Sequence, residues 1–274
     1  MKGLTTVYIK ELAALLFLCI PVVAQTQTDT MQQARPKVAH AEPLYVDLVR
    51  DLGARKGERE INVGAEFSAT GNYNEYNLFA EYEWAPVHRL GFEVEAVFSF
   101  FSRTNESEEN VPANKPDRLK LATQYSFFVS ETYKTTLALG YMHEFELTDY
   151  QTFSKGTWVS GNVYSPFFVA AKRWGNHFHT LLYTGPQFHQ NFASGALTTT
   201  WQINTSFHYM LTGTKHFIGV EVNKTIGQGH FDVFIHPQLK LKLSDRLAIG
   251  FVLSFPTNKR THGFGSFMRI IYEP

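Results

Sequence analysis

The chain has 274 residues, 44% of them hydrophobic and 15% aromatic, with only 18% charged and a formal net charge of +0. That length supports one sizeable domain, and the balanced charge excludes the basic footprint of a nucleic-acid binder. So few charges beside so many rings is unusual for a soluble globular surface.

In chain order, Lys2 and Lys10 precede an apolar run from Leu12 to Ala24, which ends in small residues before a polar stretch, QTQTDTMQQ. Residues 1–24 therefore read as a cleaved secretory signal; Pro21 and the polar stretch argue against the alternative, a retained anchor helix. The single cysteine, Cys19, follows Leu18 and so lacks the small residue that a bacterial lipoprotein site requires before it. Cleavage leaves a chain without disulfides, although the compartment permits them. No later segment offers the roughly 18 uninterrupted apolar residues of a spanning helix, so a membrane location demands a barrel.

Residues 25–59 form a separate N-terminal segment. Leu44, Leu48, Val49 and Leu52 share the spacing of one helix face, with Pro43 suited to a first turn and Gly53 to a C-terminal cap, which predicts a short helix over about 43–53. Asp47 and Asp51 stand against Arg50, Arg55, Lys56 and Arg59, giving it a basic exit. Three placements stay open, in this order: a periplasmic helix packed under a barrel mouth, a plug within the lumen, and an interfacial helix on anionic head groups.

From residue 60 onward the dominant signal is alternation. Leu90, Phe92, Val94, Ala96, Phe98 and Phe100 form one apolar stripe with Glu93, Glu95 and Ser99 opposite; Phe231 to Leu243 carries another, with Asp232, His236, Gln238, Lys240 and Lys242 opposite. A period of two over about ten residues marks a strand with two unlike faces. Twelve such segments are predicted, at roughly 60–70, 75–84, 89–101, 118–130, 133–147, 157–170, 177–189, 197–211, 216–224, 231–243, 247–255 and 263–272. Short turns (WAPVH, VSETY, AKRWGN, TGTK, SDR) alternate with longer polar loops, the longest being Ser102–Asp117. The expected fold is all-β: a transmembrane antiparallel up-and-down barrel of about twelve strands, in the outer membrane, with both termini periplasmic. Pro237, which cannot donate to a ladder, predicts a bulge or weakened pairing. Trp84, Trp158, Trp174, Tyr82, Tyr133 and Tyr272 fall near strand ends, where amphipathic rings favour membrane interfaces.

The alternation assigns an inner surface. Glu81, Glu83, Glu93, Glu95, Glu144, Glu146, Lys120, Lys240, Lys242, Arg269, His177 and His179 point inward on this register, as do Phe79, Phe128, Phe168, Tyr164 and Tyr183. Opposite charges inside so narrow a barrel are expected to pair, because an unpaired charge away from bulk water is costly. Leu44, Leu48, Leu52, Arg50 and Arg55 are the candidates for contact between the N-terminal segment and the barrel or its periplasmic mouth. His177 and His179, about 6.5–7 Å apart along a strand, could ligate a metal with Glu144 or Glu146; polar filling of the lumen is the preferred account, and no metal or cofactor is expected. No histidine is followed two residues later by serine, His262 and Ser266 are separated by GFG, and neither a GxSxG elbow nor a phosphate-binding glycine loop is present.

The segment HAEPLYVDLVRDLGARKGE, residues 40–58, followed by the twelve alternating strands, resembles a group of outer-membrane β-barrel proteins from Bacteroidota-type bacteria. The resemblance implies a fold and a location and transfers no catalytic or binding residue. One departure is that Glu273 and Pro274 follow Tyr272, where such barrels commonly end in an aromatic residue. The functional expectation is a monomeric barrel that is a narrow pore, a small-solute transporter or a structural barrel with a charge-paired lumen. Its partners would be outer-membrane lipids, the barrel-assembly machinery and possible small solutes. The alternatives are a barrel-embedded lipid-modifying hydrolase and a soluble periplasmic β-barrel binding protein.

Overall fold

The computed structural model describes residues 36–274 apart from 47, 71–72, 105–110, 228 and 259–262. The predicted signal, residues 1–24, and residues 25–35 lie outside the described residues, as does His262.

Twelve strands follow one another: β1 (Arg59–Ala69), β2 (Tyr73–Val87), β3 (Leu90–Arg103), β4 (Lys115–Ser130), β5 (Thr135–Leu147), β6 (Val159–Trp174), β7 (Phe178–Asn191), β8 (Leu197–Met210), β9 (Phe217–Ile226), β10 (Phe231–Lys242), β11 (Leu247–Pro256) and β12 (Gly265–Tyr272). Each pairs antiparallel with its sequence neighbours, and β1 pairs with β12 from Ile61↔Tyr272 to Ser68↔Gly265, which closes the barrel. Closure is what apolar surroundings require, since an open edge would leave a row of backbone N–H and C=O groups with no partner in hydrocarbon. At 8–16 residues the strands suit the roughly 9–11 tilted residues that cross a bilayer. Among the described residues no helix is long and apolar enough to cross a membrane. One short helix, α1 (Tyr150–Ser154), sits in the β5–β6 loop, capped by the Asp149 carboxylate, which accepts from the Gln151 and Thr152 N–H groups.

The outer wall carries the predicted stripes. Val94, Phe98 and Phe100 on β3, Phe231 and Ile235 on β10 and Phe251, Leu253 and Phe255 on β11 are exposed, while the alternate residues Glu93, His236, Gln238, Val252 and Ser254 are buried inside. Tyr82, Tyr133, Trp174 and Tyr272 stand exposed at the short-turn end, where interfacial rings belong. Pro237 produces weakened pairing without a bulge: β10 keeps one register against β11, but the pairing runs from Ile235↔Phe255 directly to Gln238↔Val252.

Three inward assignments are corrected. On β6, Ser165, Phe167, Val169 and Ala171 are buried inside, so alternation puts Tyr164 and Phe168 on the outer face. On β4 the register shifts between Tyr125 and Phe128, and Phe127 and Phe128 are both exposed. The cause on β6 is local: its inner face is as apolar as its outer one, because it packs against the N-terminal segment, so no alternation remains to read.

The predicted helix over 43–53 is also corrected. Among the described residues of this stretch there are bends and a turn and no helix. A helix would direct its N–H groups to its own carbonyls. Beyond what would be its first turn they go to other partners instead: the Leu52 N–H donates to Glu42 Oε1 (2.9 Å) and the Gly53 N–H to Ser126 Oγ (2.8 Å), while the Leu44 and Val46 N–H groups donate to Gln238 Oε1 (2.7 Å) and Glu221 Oε1 (3.1 Å) on the barrel wall.

Candidate functional site: the lumen and the segment inside it

The described residues of 36–58 run into the barrel and back to its short-turn end, and the preferred periplasmic placement under its mouth is thereby corrected. The chain passes His40 and Ala41 beside the start of β7, where the Ala41 N–H donates to His179 Nδ1 (2.9 Å) and His40 Nε2 bonds Thr136 Oγ1 (3.0 Å). It reaches its deepest point at Tyr45, whose hydroxyl donates to Glu66 Oε1 (2.9 Å) and whose ring stacks on His236 at 3.9 Å. It then returns to the short-turn end, where the Gly57 N–H donates to the Ala85 carbonyl before β1 begins. Lys37 joins the two limbs, holding Asp51 at 3.0 Å and Glu58 at 2.7 Å. The segment is therefore a plug tied at its base.

Its apolar residues do not share one helix face; they press on opposite walls. Leu48, Val49 and Leu52 pack with Ala122, Ala138, Phe167, Val169, Ala171, Leu181 and Tyr183 on β4–β7. Ala41 and Leu44 pack with Phe217, Ala248, Val252 and Ile271 on β9, β11 and β12. Leu44, Leu48 and Leu52 are at most 2% exposed, and each such leucine contributes roughly 1.5–3 kcal/mol on burial. Two wall glycines set the spacing: at Gly91 a Cβ would overlap the Val49 carbonyl, and at Gly250 it would stand 2.8 Å from a Leu44 methyl.

Charges complete the seat. Arg50 adopts a positive φ of 61°, a conformation that costs a non-glycine residue about 1–2 kcal/mol. That turn delivers its guanidinium to Glu60 and Glu83 on β1 and β2 and to Asp51. Burial alone would disfavour this cation, but Asp51, Glu60 and Glu83 hold it charged, above its ordinary range. Burial, with Asp51 close by, pushes the Glu42 carboxyl up to about 8; this group accepts the Leu52 N–H at 2.9 Å. Burial pushes His40 down to about 3, so it sits in its neutral form.

The sequence-selected lumen residues fall into three groups. Glu81, Glu93 and Glu95 converge on Lys120, whose ammonium lies 2.7 Å from Glu93, 3.2 Å from Glu95 and 3.7 Å from Glu81, while Arg269 reaches Glu81 at 3.0 Å. These three carboxylates are close enough to suit a metal, but the lysine provides the positive charge there. Glu83 belongs with Arg50, and Glu144 accepts Arg118 at 3.2 Å near the long loops. At the short-turn end, Lys240 and Lys242 line a cavity of about 300 Å³ beneath the plug, His177 and His179 line another of about 220 Å³, and Lys242 pairs with Glu273 at 2.8 Å. Arg55 is exposed there. The histidine pair and Glu144 thus occupy opposite ends, and Glu146 bonds His189 instead, so no metal set assembles from them among the described residues. Sequence reasoning passed over Tyr45, Glu60, Gln124, Ser126 and Glu221, which hold the plug. Alternation through Phe217, Gly219 and Glu221 was the available sign for the last of these.

Above the plug tip, towards the long loops, a cavity of about 280 Å³ is bounded by Tyr45, Glu66, Glu95, Glu144, Gln187 and Gln202 among others. The plug thus stands between cavities at the two ends of the lumen.

The model of the HAEPLYID-like family matches residues 36–273, plug and barrel together. The chain belongs to that family. No curated protein matches the sequence. Among solved structures, the fold is similar to the COG4313 outer membrane channel from Pseudomonas putida F1 (TM-score 0.63, 10% identity, covering 84% of this chain and 100% of that one). It is also similar to the KdgM porin (TM-score 0.52, 11% identity, 77% and 98%), which has been solved in complex with disordered oligogalacturonate (TM-score 0.53, 13% identity, 78% and 98%). At such identities the likeness establishes the architecture, that of an outer-membrane barrel.

Proposed function

We propose that this HAEPLYID-like protein is a gated outer-membrane channel for small solutes, closed by its own residues 36–58. The observation that carries this reading is the plug itself, held by apolar contacts on two walls and by buried ion pairs, with cavities at both ends of the lumen. Lys120, Arg269, Arg118 and Arg50 are each paired with lumen carboxylates, which supports a polar interior able to admit water once the plug moves. In this reading the short-turn end and both termini are periplasmic and the long loops face outward. The protein works as a monomer, with outer-membrane lipids and the barrel-assembly machinery as partners, and without catalysis. The channel and porin folds of the similar structures support the same role, and the motif's likeness to Bacteroidota-type barrels supports such a source.

The experiment is single-channel recording in planar bilayers of the refolded chain from residue 25 onward and of a chain lacking residues 25–58. Rare openings in the first and steady current in the second are expected. Silence in both, with the barrel folded, would replace the channel by a sealed structural barrel.

A further inference from the structure

We infer that the cavity above the plug tip binds a small neutral polyhydroxylated solute, about one sugar ring in size, and that this solute competes with the plug for Glu66. The inference rests on the channel reading only for the side from which the solute arrives.

The size follows from the volume. About 280 Å³ lies just under the roughly 300 Å³ at which pockets for drug-sized ligands begin.

The charge follows from the pairing. Three cations border the cavity, and each is engaged: Lys120 with Glu81, Glu93 and Glu95, Arg118 with Asp117 and Glu144, and Arg269 with Glu81. An anionic solute would have to draw one of these cations away from the carboxylates already around it, which disfavours it. The same pairs occupy Glu95 and Glu144, so among the lining carboxylates only Glu66, held by the Tyr45 hydroxyl and the Asn77 amide, is left to draw a cation, which the lysine probe tests.

The remaining groups suit hydroxyls. Gln202 has no side-chain hydrogen bond among the described residues, and Gln187 has a single long one, accepted from Thr200 Oγ1 at 3.5 Å. Two amides facing a cavity in this condition offer donors and acceptors together, and a hydroxyl can answer both. The rings of Phe79 and Phe267, stacked at 5.5 Å, supply apolar surface for the C–H face of a ring. An apolar solute would leave the amides without partners, which disfavours it.

Competition follows from one bond. Glu66 Oε1 accepts the Tyr45 hydroxyl, and Glu66 Oε2 accepts Asn77 at 3.4 Å. A solute hydroxyl donating to Glu66 Oε1 takes the place of Tyr45, which is the deepest anchor of the plug.

The test is isothermal titration of the detergent-folded chain from residue 25 onward with glucose, galactose and xylose as neutral probes, and with gluconate and lysine as charged ones. Saturable binding of a neutral probe is expected, at least tenfold tighter than either charged probe and at least tenfold weakened in Gln187→Leu/Gln202→Leu. Tyr45→Phe should bind the same probe more tightly, because the competing hydroxyl is gone. Glu66→Gln, which leaves the amides in place, serves as a second weakening variant should the double one misfold. Absence of saturable binding, preference for a charged probe, or equal binding by folded Gln187→Leu/Gln202→Leu and Glu66→Gln overturns the inference. Binding without any current in bilayers upholds the site and removes the channel; current without binding does the reverse.

Discussion

Leu52→Ala isolates the apolar part of the plug's seat. Leu52 is fully buried, packed with Leu48 and Val49 against the wall formed by β4–β7. Truncating such a leucine costs about 2–5 kcal/mol, because the surroundings collapse only partly around the missing atoms. The strands hold one another through the closed ladder, so this loss falls mainly on the equilibrium between seated and released plug. At about 1.36 kcal/mol per tenfold change, the ratio of open to closed channels should rise between roughly 30-fold and several thousand-fold. The assay is the open-time fraction in planar bilayers, with heat-modifiable gel mobility confirming an intact barrel. Leu52→Met, which nearly conserves volume and costs less than about 1.5 kcal/mol, should stay close to the parent. An open fraction in folded Leu52→Ala equal to that of the parent would refute the claim that apolar packing of this segment closes the channel.

Three further outcomes are expected. Arg50→Met leaves Glu60 and Glu83 facing each other without the guanidinium between them; removing one partner of a buried pair costs about 3–5 kcal/mol, so protease cleavage within residues 36–58 should accelerate at least a hundredfold. Glu42 gives the seat a pH dependence: the released segment ionises near the ordinary value of 4.5 while the seated carboxyl keeps its proton to about 8. Seating is therefore weakened as pH rises through that window, by up to about 1.4 kcal/mol per unit, and Glu42→Gln should flatten the rise of open probability between about pH 6 and 8. In a barrel lacking residues 25–58, Glu93→Gln/Glu95→Gln leaves Lys120 with Glu81 alone of its three carboxylates, and the reversal potential in a salt gradient should move towards anion selectivity.

How much of this was legible depended on whether one face of each element met a different medium from the other. Along β3 and β10 the outer residues meet an apolar exterior and the inner ones are mostly charged or polar, and along β11 the inner Ala248, Gly250 and Ser254 are small beside the large outer residues, so alternation fixed both strand and register; β10, read at 231–243, is observed at Phe231–Lys242. Along β6 the inner residues Phe167, Val169 and Ala171 meet Leu48, Val49 and Leu52, both faces are apolar, and the register came out one residue off. The spacing of Leu44, Leu48 and Leu52 failed for a related reason. A helix lying on one surface and an irregular chain wedged between two can place leucines at the same intervals, and sequence spacing does not distinguish them. The carboxylates around Lys120 were found because they lie on predicted strands, whereas Tyr45 and Glu221 acquire their roles only from the path of the plug.

The plug leads through Glu58 straight into Arg59 of β1, so barrier and barrel are one covalent unit. A released plug therefore remains at the effective concentration its short tether sets, of millimolar order for flexible links. Reclosure is then a first-order event whose rate does not depend on how many copies crowd the membrane. A separate peptide of the same sequence would have to approach such concentrations to block a barrel from which residues 25–58 had been removed.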